Sequence, residues 1–257
     1  MNLQRVGVII AHESRLIRRD FTSVMVMLVF PIISIAFLAP AFKPALQQLG
    51  FVHANGADHV VPGQAVMAAF FVVSLVVFSF FGEHAWQTWD RVRASSATSL
   101  EIVAGKATPR VMLVVVQLTL LLIAGVVVFH MHVRGTALAL APLIIVFALC
   151  LVLLGVCVTA LARTAQQANA FAFTGMVLFG ALGGAFVPFG LLPGWAKPVG
   201  PITPTYWAMR GMRSVVLGHG SFGAVVLPTA VLLGASALFA AIAAWRLRFD
   251  EAKVGWS

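Results

Sequence analysis

Six stretches of this chain, 21–42, 62–81, 111–129, 137–161, 168–187 and 222–245, are almost wholly apolar and carry scarcely a charge. A helix of about 20 apolar residues crosses the ~30 Å hydrocarbon core of a bilayer, so each stretch has the length and character of a membrane span. Composition agrees: 61% of the 257 residues are apolar and 10% are charged. A soluble domain needs roughly 25% charged residues to cover its surface. The expected fold is therefore all-α, a polytopic membrane protein with six transmembrane helices. The first stretch holds Ala39-Pro40-Ala41, which mimics a signal-cleavage site, but its apolar core exceeds the roughly 7–15 residues such signals use.

Orientation follows from where lysine and arginine fall. With the N-terminus inside, the cytoplasmic pieces hold Arg5, Arg15, Arg18, Arg19, Arg91, Arg93, Lys106, Arg110, Arg163, Arg246, Arg248 and Lys253. The outer pieces hold Lys43, Arg134, Lys197, Arg210 and Arg213, so the bias is twelve to five. Cytoplasmic loops carry the excess, which places both ends in the cytoplasm. The net charge of +9 thus reads as topology control. The basic residues flank apolar stretches instead of clustering on a polar domain, and no nucleic-acid partner is expected.

Four segments outside the spans carry most of the remaining information. Residues 1–20 read as an amphipathic interfacial helix followed by one membrane domain, 21–257. Val6, Ile9, Ile10, Leu16 and Ile17 fall on one side and Arg5, His12, Arg15 and Arg19 on the other. Glu13 interrupts the apolar side. Such a basic helix lies in the membrane interface with its arginines near lipid phosphates, or serves as an ordinary positive flank. Residues 82–110 form the longest cytoplasmic loop and the most polar part of the chain, with Glu83, His84, Trp86, Trp89, Asp90, Arg91 and Arg93. Tryptophans at a span's end anchor it at the headgroups; docking of a partner protein is the other reading. Residues 183–220 are too proline-rich for one helix and too apolar for a free loop. Short broken helices covered by protein reconcile the two facts. The tail from Arg246 to Ser257 is too short for a domain.

The chemistry the chain lacks narrows its function. No Gly-x-x-x-x-Gly-Lys-Ser/Thr loop is present, so no ATP site of that kind is expected. His-Glu-x-x-His and Gly-x-Ser-x-Gly are absent too, and neither a catalytic nor a metal site is expected. His53, Asp58 and His59 read as a solvated outer loop, and His130 and His132 lack a third ligand. Cys150 and Cys157, seven positions apart on one helix, stand too far apart for a disulfide. The expected spans hold no Asp, Glu, Lys or Arg at mid-depth, the groups that ion-coupled transporters use. Gln117 and Thr174 remain as polar groups for helix packing or a pathway, and Gly180-x-x-x-Gly184 as a close-packing face, internal or between subunits. A membrane protein without coupling or catalytic groups borrows its energy from a partner.

The segment 183–210 reads in order Gly183-Gly184-Ala185-Phe186-Val187-Pro188, Leu192-Pro193-Gly194-Trp195 and Pro204-Thr205-Tyr206-Trp207-Ala208-Met209-Arg210. In these motifs the chain resembles the membrane permease subunits of type-2 ABC exporters, and within them the daunorubicin-resistance-like branch. Val61-Pro62-Gly63, Asp90-Arg91-Val92-Arg93, Gly105-Lys106 and Arg18-Arg19-Asp20 extend the resemblance over nearly the whole chain. The family often has Gly where Gln87 stands and Pro where Ser96 stands.

The resemblance implies roles for these segments. Arg15, Arg18, Arg19 and Asp20 would belong to an elbow helix. Glu83, Trp86, Trp89, Asp90, Arg91 and Arg93 would form a coupling helix between spans two and three, contacting an ATPase. Phe186, Pro188, Pro193, Trp195, Pro204, Tyr206, Trp207 and Arg210 would form an outer re-entrant gate between spans five and six. Two separate ATPase subunits would bind ATP and magnesium, this chain holding no cofactor. A second copy or a related permease would complete the path, in a bacterial inner membrane among its lipids. The expected activity is export of amphipathic compounds, drug-like molecules or lipids. Export of a polysaccharide or lipid-linked sugar, and a membrane-embedded enzyme or scaffold, are the alternatives.

Overall fold

A computed structural model describes residues 2–85 and 98–246. Among the described residues the regular structure is entirely helical, as the apolar runs lead one to expect. The main helices are α1 (Leu3–Arg19), α2 (Phe21–Gln48), α3 (Ala57–Ala69), α4 (Phe71–Ala85), α5 (Ser99–Val127), α6 (Leu140–Leu161), α7 (Ala165–Leu182), α8 (Pro204–Val216) and α9 (Phe222–Arg246). Short 3-10 turns stand at Ala137–Ala139, Phe189–Leu191 and Gly200–Ile202.

Among the described residues five helical stretches are long and apolar enough to cross a membrane: Met25–Gln48, Ala57–Gly82, Ser99–Val127, Ala137–Leu161 and Phe222–Arg246. The remaining expected stretch, 168–187, forms α7, which has 18 residues and ends at Leu182. Its first turns carry Gln166, Gln167 and Asn169, so it is both shorter and more polar than the other five. The second stretch begins at Ala57, five residues before the proline expected to open it. It passes from α3 to α4 through a tight joint at Phe70, where Phe70 N–H donates to the Met67 carbonyl at 3.1 Å.

α6 lies at the centre and packs against α9, α4, α5 and α8. Its Leu143, Phe147 and Leu151 are fully buried. Glycines set the close approaches: a Cβ on Gly125 would strike Val61, and one on Gly155 would strike Val76. α2 and α9 lie at the periphery and expose Val26, Phe30, Ile33 and Phe37 on one, Val226, Leu227, Leu233 and Leu238 on the other. Helices apolar all round with one side unpacked suit a hydrocarbon solvent and not water.

α2 contains Pro31, Pro40 and Pro44. Pro31 has no N–H, so the Met27 carbonyl loses its helical donor. Gln117 on α5 supplies the replacement, with Nε2 donating to Met27 O at 3.0 Å. Gln117 thereby bridges α5 and α2. Thr174 is exposed on α7. Gln117→Leu is expected to cost about 1 kcal/mol, seen as a lower melting midpoint of the purified protein. Adding Pro31→Ala, which restores the backbone donor, is expected to recover most of that loss.

Candidate functional site

The polar structure concentrates at the two ends of the bundle. At one end α1 lies across the start of α5. Asn2 caps α1, its side chain accepting from Gln4 N–H at 3.0 Å. Thr98 and Glu101 form a capping box at the start of α5, which satisfies donors left open in a helix's first turn. Glu101 also accepts from the Asn2 backbone N–H at 2.5 Å, joining the two helix starts. Further along, a Cβ on Gly105 would strike Ile9, so the missing side chain is what lets α1 settle on α5.

Four residues beyond Ile9, Glu13 meets two cations. Lys106 Nζ donates to Glu13 Oε1 at 2.8 Å, and Arg110 Nη2 donates to Glu13 Oε2 at 2.9 Å. Lys106 also donates to the Ser79 carbonyl on α4 at 3.0 Å. Arg110 donates to the Lys106 carbonyl at 2.6 Å. Glu13, Lys106 and Arg110 are 2%, 4% and 6% exposed, so the triad is buried. Burial alone would raise the Glu13 carboxyl, but the charges and hydrogen bonds of Lys106 and Arg110 outweigh it and hold it below its ordinary value. One carboxylate thereby pins α1 to α5, and Lys106 carries the link on to α4. A groove of about 460 Å³ opens beside the triad, between Leu16, Ile17, Leu75 and Phe78, with Arg19 and Asp20 on its border.

The triad corrects two readings of the sequence. Lys106 and Arg110 are helical residues in the third and fourth turns of α5 and not members of a loop reaching to 110. Glu13, which interrupts the apolar stripe of α1, is the residue that docks it. A buried charge needs a partner, and a glutamate on an apolar face, together with a lysine and arginine four apart on another helix, was the available signal. Arg15, Arg18, Arg19 and Asp20 are exposed on or just past α1. Glu83 falls in the last turn of α4; Trp86, Trp89, Asp90, Arg91 and Arg93 lie outside the described residues.

At the opposite end, sequence-distant segments converge. Thr203 caps α8 by accepting from Tyr206 N–H at 3.3 Å, and Pro204 occupies the first helical position, where no N–H is needed. Thr205 Oγ1 donates to the Phe179 carbonyl at the end of α7. It fits there because Gly183 has no side chain. Phe189 stacks edgewise on Tyr206 at 4.7 Å, and Trp207 Nε1 donates to the Pro201 carbonyl at 2.8 Å. The Arg210 guanidinium lies 5.3 Å above the Trp207 ring. Of the residues expected here, Pro188 and Pro204 are buried and Tyr206 and Trp207 half-buried; Phe186, Pro193, Trp195 and Arg210 are exposed. The glycine pair is used inside the chain, Gly180 against Met67 and Gly184 in a turn at φ +80° beside Phe189.

His59 and Asp58 also lie at this end, inside the first turn of α3 and not in a solvated loop. Asp58 accepts from the backbone N–H groups of Asn55 at 3.1 Å and His132 at 2.8 Å. Its side chain is wholly buried. His59 is 2% exposed and stacks on Phe42. Gly63 completes the junction: a Cβ there would strike the Ala185 carbonyl. The Pro62-Gly63 and Gly183–Pro188 motifs are therefore two sides of one contact.

The family model for the ABC-2 type transporter matches residues 4–217. The chain belongs to that family. The match runs from α1 to the end of α8, taking in both polar ends and the segment between α4 and α5. No curated protein matches the chain. As an ABC-2 membrane domain, the protein is a multi-pass permease component of an ABC transporter and is not itself catalytic. ABC-2 permeases typically work with ABC ATPase partners. The Glu13–Lys106–Arg110 triad therefore joins the N-terminal helix of an ABC-2 permease to the helices on either side of the segment 86–97.

Proposed function

We propose that this ABC-2 permease exports amphipathic compounds, drug-like molecules or lipids, from a bacterial cell. Two separate ATPase subunits, binding ATP and magnesium, drive it, and the path lies between two permease copies or a copy and a related chain. The reading keeps six spans, with α7 as the fifth and both termini in the cytoplasm. The ATPases dock on the segment around Glu83, Trp86, Trp89, Asp90, Arg91 and Arg93, with the elbow residues Arg15, Arg18, Arg19 and Asp20 beside it. Drawing the ATPases together moves α4, α5 and α1 as one unit, a rigid-body switch about an interface. Phe186, Pro188, Pro193, Trp195, Pro204, Tyr206, Trp207 and Arg210 gate the far end.

The buried triad is the observation that carries this reading. It supports the transmission step, because a push on either end of the segment 86–97 reaches the elbow helix without slack. The exposed face of α7 supports the cargo class: Phe171, Phe173 and Leu178 offer apolar surface and no fixed charge. Such walls grip apolar matter and leave a polar solute unsatisfied.

Purification of the tagged chain from membranes of its native host tests the reading. An ABC ATPase with magnesium-dependent activity is expected to co-purify. Deletion of residues 86–93 is expected to weaken that association at least about tenfold, as loss of a central contact cluster does, and to abolish ATP-dependent efflux. Efflux that survives the deletion contradicts the proposal.

A further inference from the structure

The end of the bundle opposite α1 brings two arginines of α8 close to a buried histidine. Tyr206, Arg210 and Arg213 stand at successive turns of α8, on one face. They border a partly open space of about 80 Å³ together with His59, Gly184 and Phe189. Among the described residues neither arginine has a carboxylate within ion-pair distance. The nearest acid in sequence to His59, Asp58, is occupied by Asn55 and His132. His59 is 2% exposed, and both of its ring nitrogens lack a hydrogen-bond partner. A buried imidazole with two unmet nitrogens is unusual, since such groups are paired in native proteins.

We propose that this space binds one phosphate group, as a lipid headgroup or as free phosphate. Arginine suits such a ligand because its planar fork matches phosphate oxygens, and Arg210, held by its face on Trp207, keeps its edge donors available. Arg213 supplies the second fork. His59 borders the space, and a turn of its ring brings one of its buried, unpartnered nitrogens to a phosphate oxygen. Tyr206 closes the side. A space of about 80 Å³ has room for a tetrahedral oxyanion. The site requires neither the ATPase partner nor the direction of transport, so its failure leaves the proposed function untouched.

Calorimetric titration of the purified full-length protein tests it, with inorganic phosphate and dihexanoylphosphatidylglycerol as separate probes. Wild-type protein is expected to bind at least one of them. Binding of the phospholipid alone identifies a headgroup site, and binding of inorganic phosphate identifies a free-anion site. Arg210→Gln and Arg213→Gln are each expected to weaken binding about tenfold or more, the loss of a charged hydrogen bond. His59→Phe, which keeps the stack on Phe42, is expected to weaken it about threefold to tenfold. Should Arg213→Gln fail to fold, Arg213→Lys and the exposed Arg210→Gln carry the same test. Lys197→Gln removes an exposed charge at the same end and is expected to change nothing. Failure of both probes to bind, or an equal loss in Lys197→Gln, overturns the proposal.

Discussion

A Glu13→Gln protein is expected to lose about 3–5 kcal/mol of stability, the cost of leaving buried charge without its counter-charge. Lys106 and Arg110 are 4% and 6% exposed, so water cannot take over from the lost carboxylate. The neutral amide keeps the shape of the side chain, which isolates the charge from the packing. Replacing all three residues with apolar ones, Glu13→Leu, Lys106→Met and Arg110→Met, is expected to recover most of the loss, because nothing charged is then buried. Melting midpoints in detergent read both results. Acidity supplies a second arm. Lys106 and Arg110 hold the folded Glu13 carboxyl below its ordinary value of 4.5, against the opposing effect of burial. Its contribution is complete above that value and is lost as the pH falls through the lower folded one. The parent's midpoint should therefore drop below about pH 4.5 through this group, a component that Glu13→Gln lacks.

Gly63→Val is expected to cost about 3 kcal/mol, the upper end of the usual range for overpacking. The obstacle is the Ala185 carbonyl, a backbone atom. It cannot rotate away as a side chain would. Relief requires shifting α3 or the turn after α7. That turn seats Thr205 against Gly183 and Phe189 against Tyr206, so the damage reaches α8. The fluorescence of the purified protein should change through Trp207, and efflux should fall even in the fraction that folds. Gly175→Ala, with open space around it, is the matched control and is expected to leave both readings unchanged.

The helices are legible in the sequence because bilayer thickness imposes a length that apolar runs display directly. α7 is less so: it begins at Ala165, among three amides that lower its apolar character, and ends at Leu182 before the Gly183-Gly184 pair, inside a run that looks longer. The start of α3 misleads for a different reason. Asp58 and His59 look like loop residues until their surroundings are known, and the backbone N–H of His132 that holds Asp58 lies 74 positions away. No local pattern contains that pairing. The joint at Phe70 has no glycine or proline to announce it. The Gly183–Trp207 motifs can be read from resemblance alone, yet the reason for them, backbone contact through Gly63 and Gly183, appears only in three dimensions. Glu13 is visible and easily misread: amphipathic periodicity treats any charge on an apolar face as noise, whereas burial turns it into the fixed point of the interface.

Cysteine labelling in intact cells tests the transmission of force through residues 86–97 most directly. Cys150 and Cys157 are buried, so background reaction with a membrane-impermeant maleimide is low. Asp90→Cys is expected to stay unlabelled in intact cells and to react in inverted membrane vesicles; Lys197→Cys, at the other end, is expected to show the reverse. Labelling of Asp90→Cys from outside the cell would place this segment beyond the reach of any cytosolic ATPase and contradict the proposed mechanism.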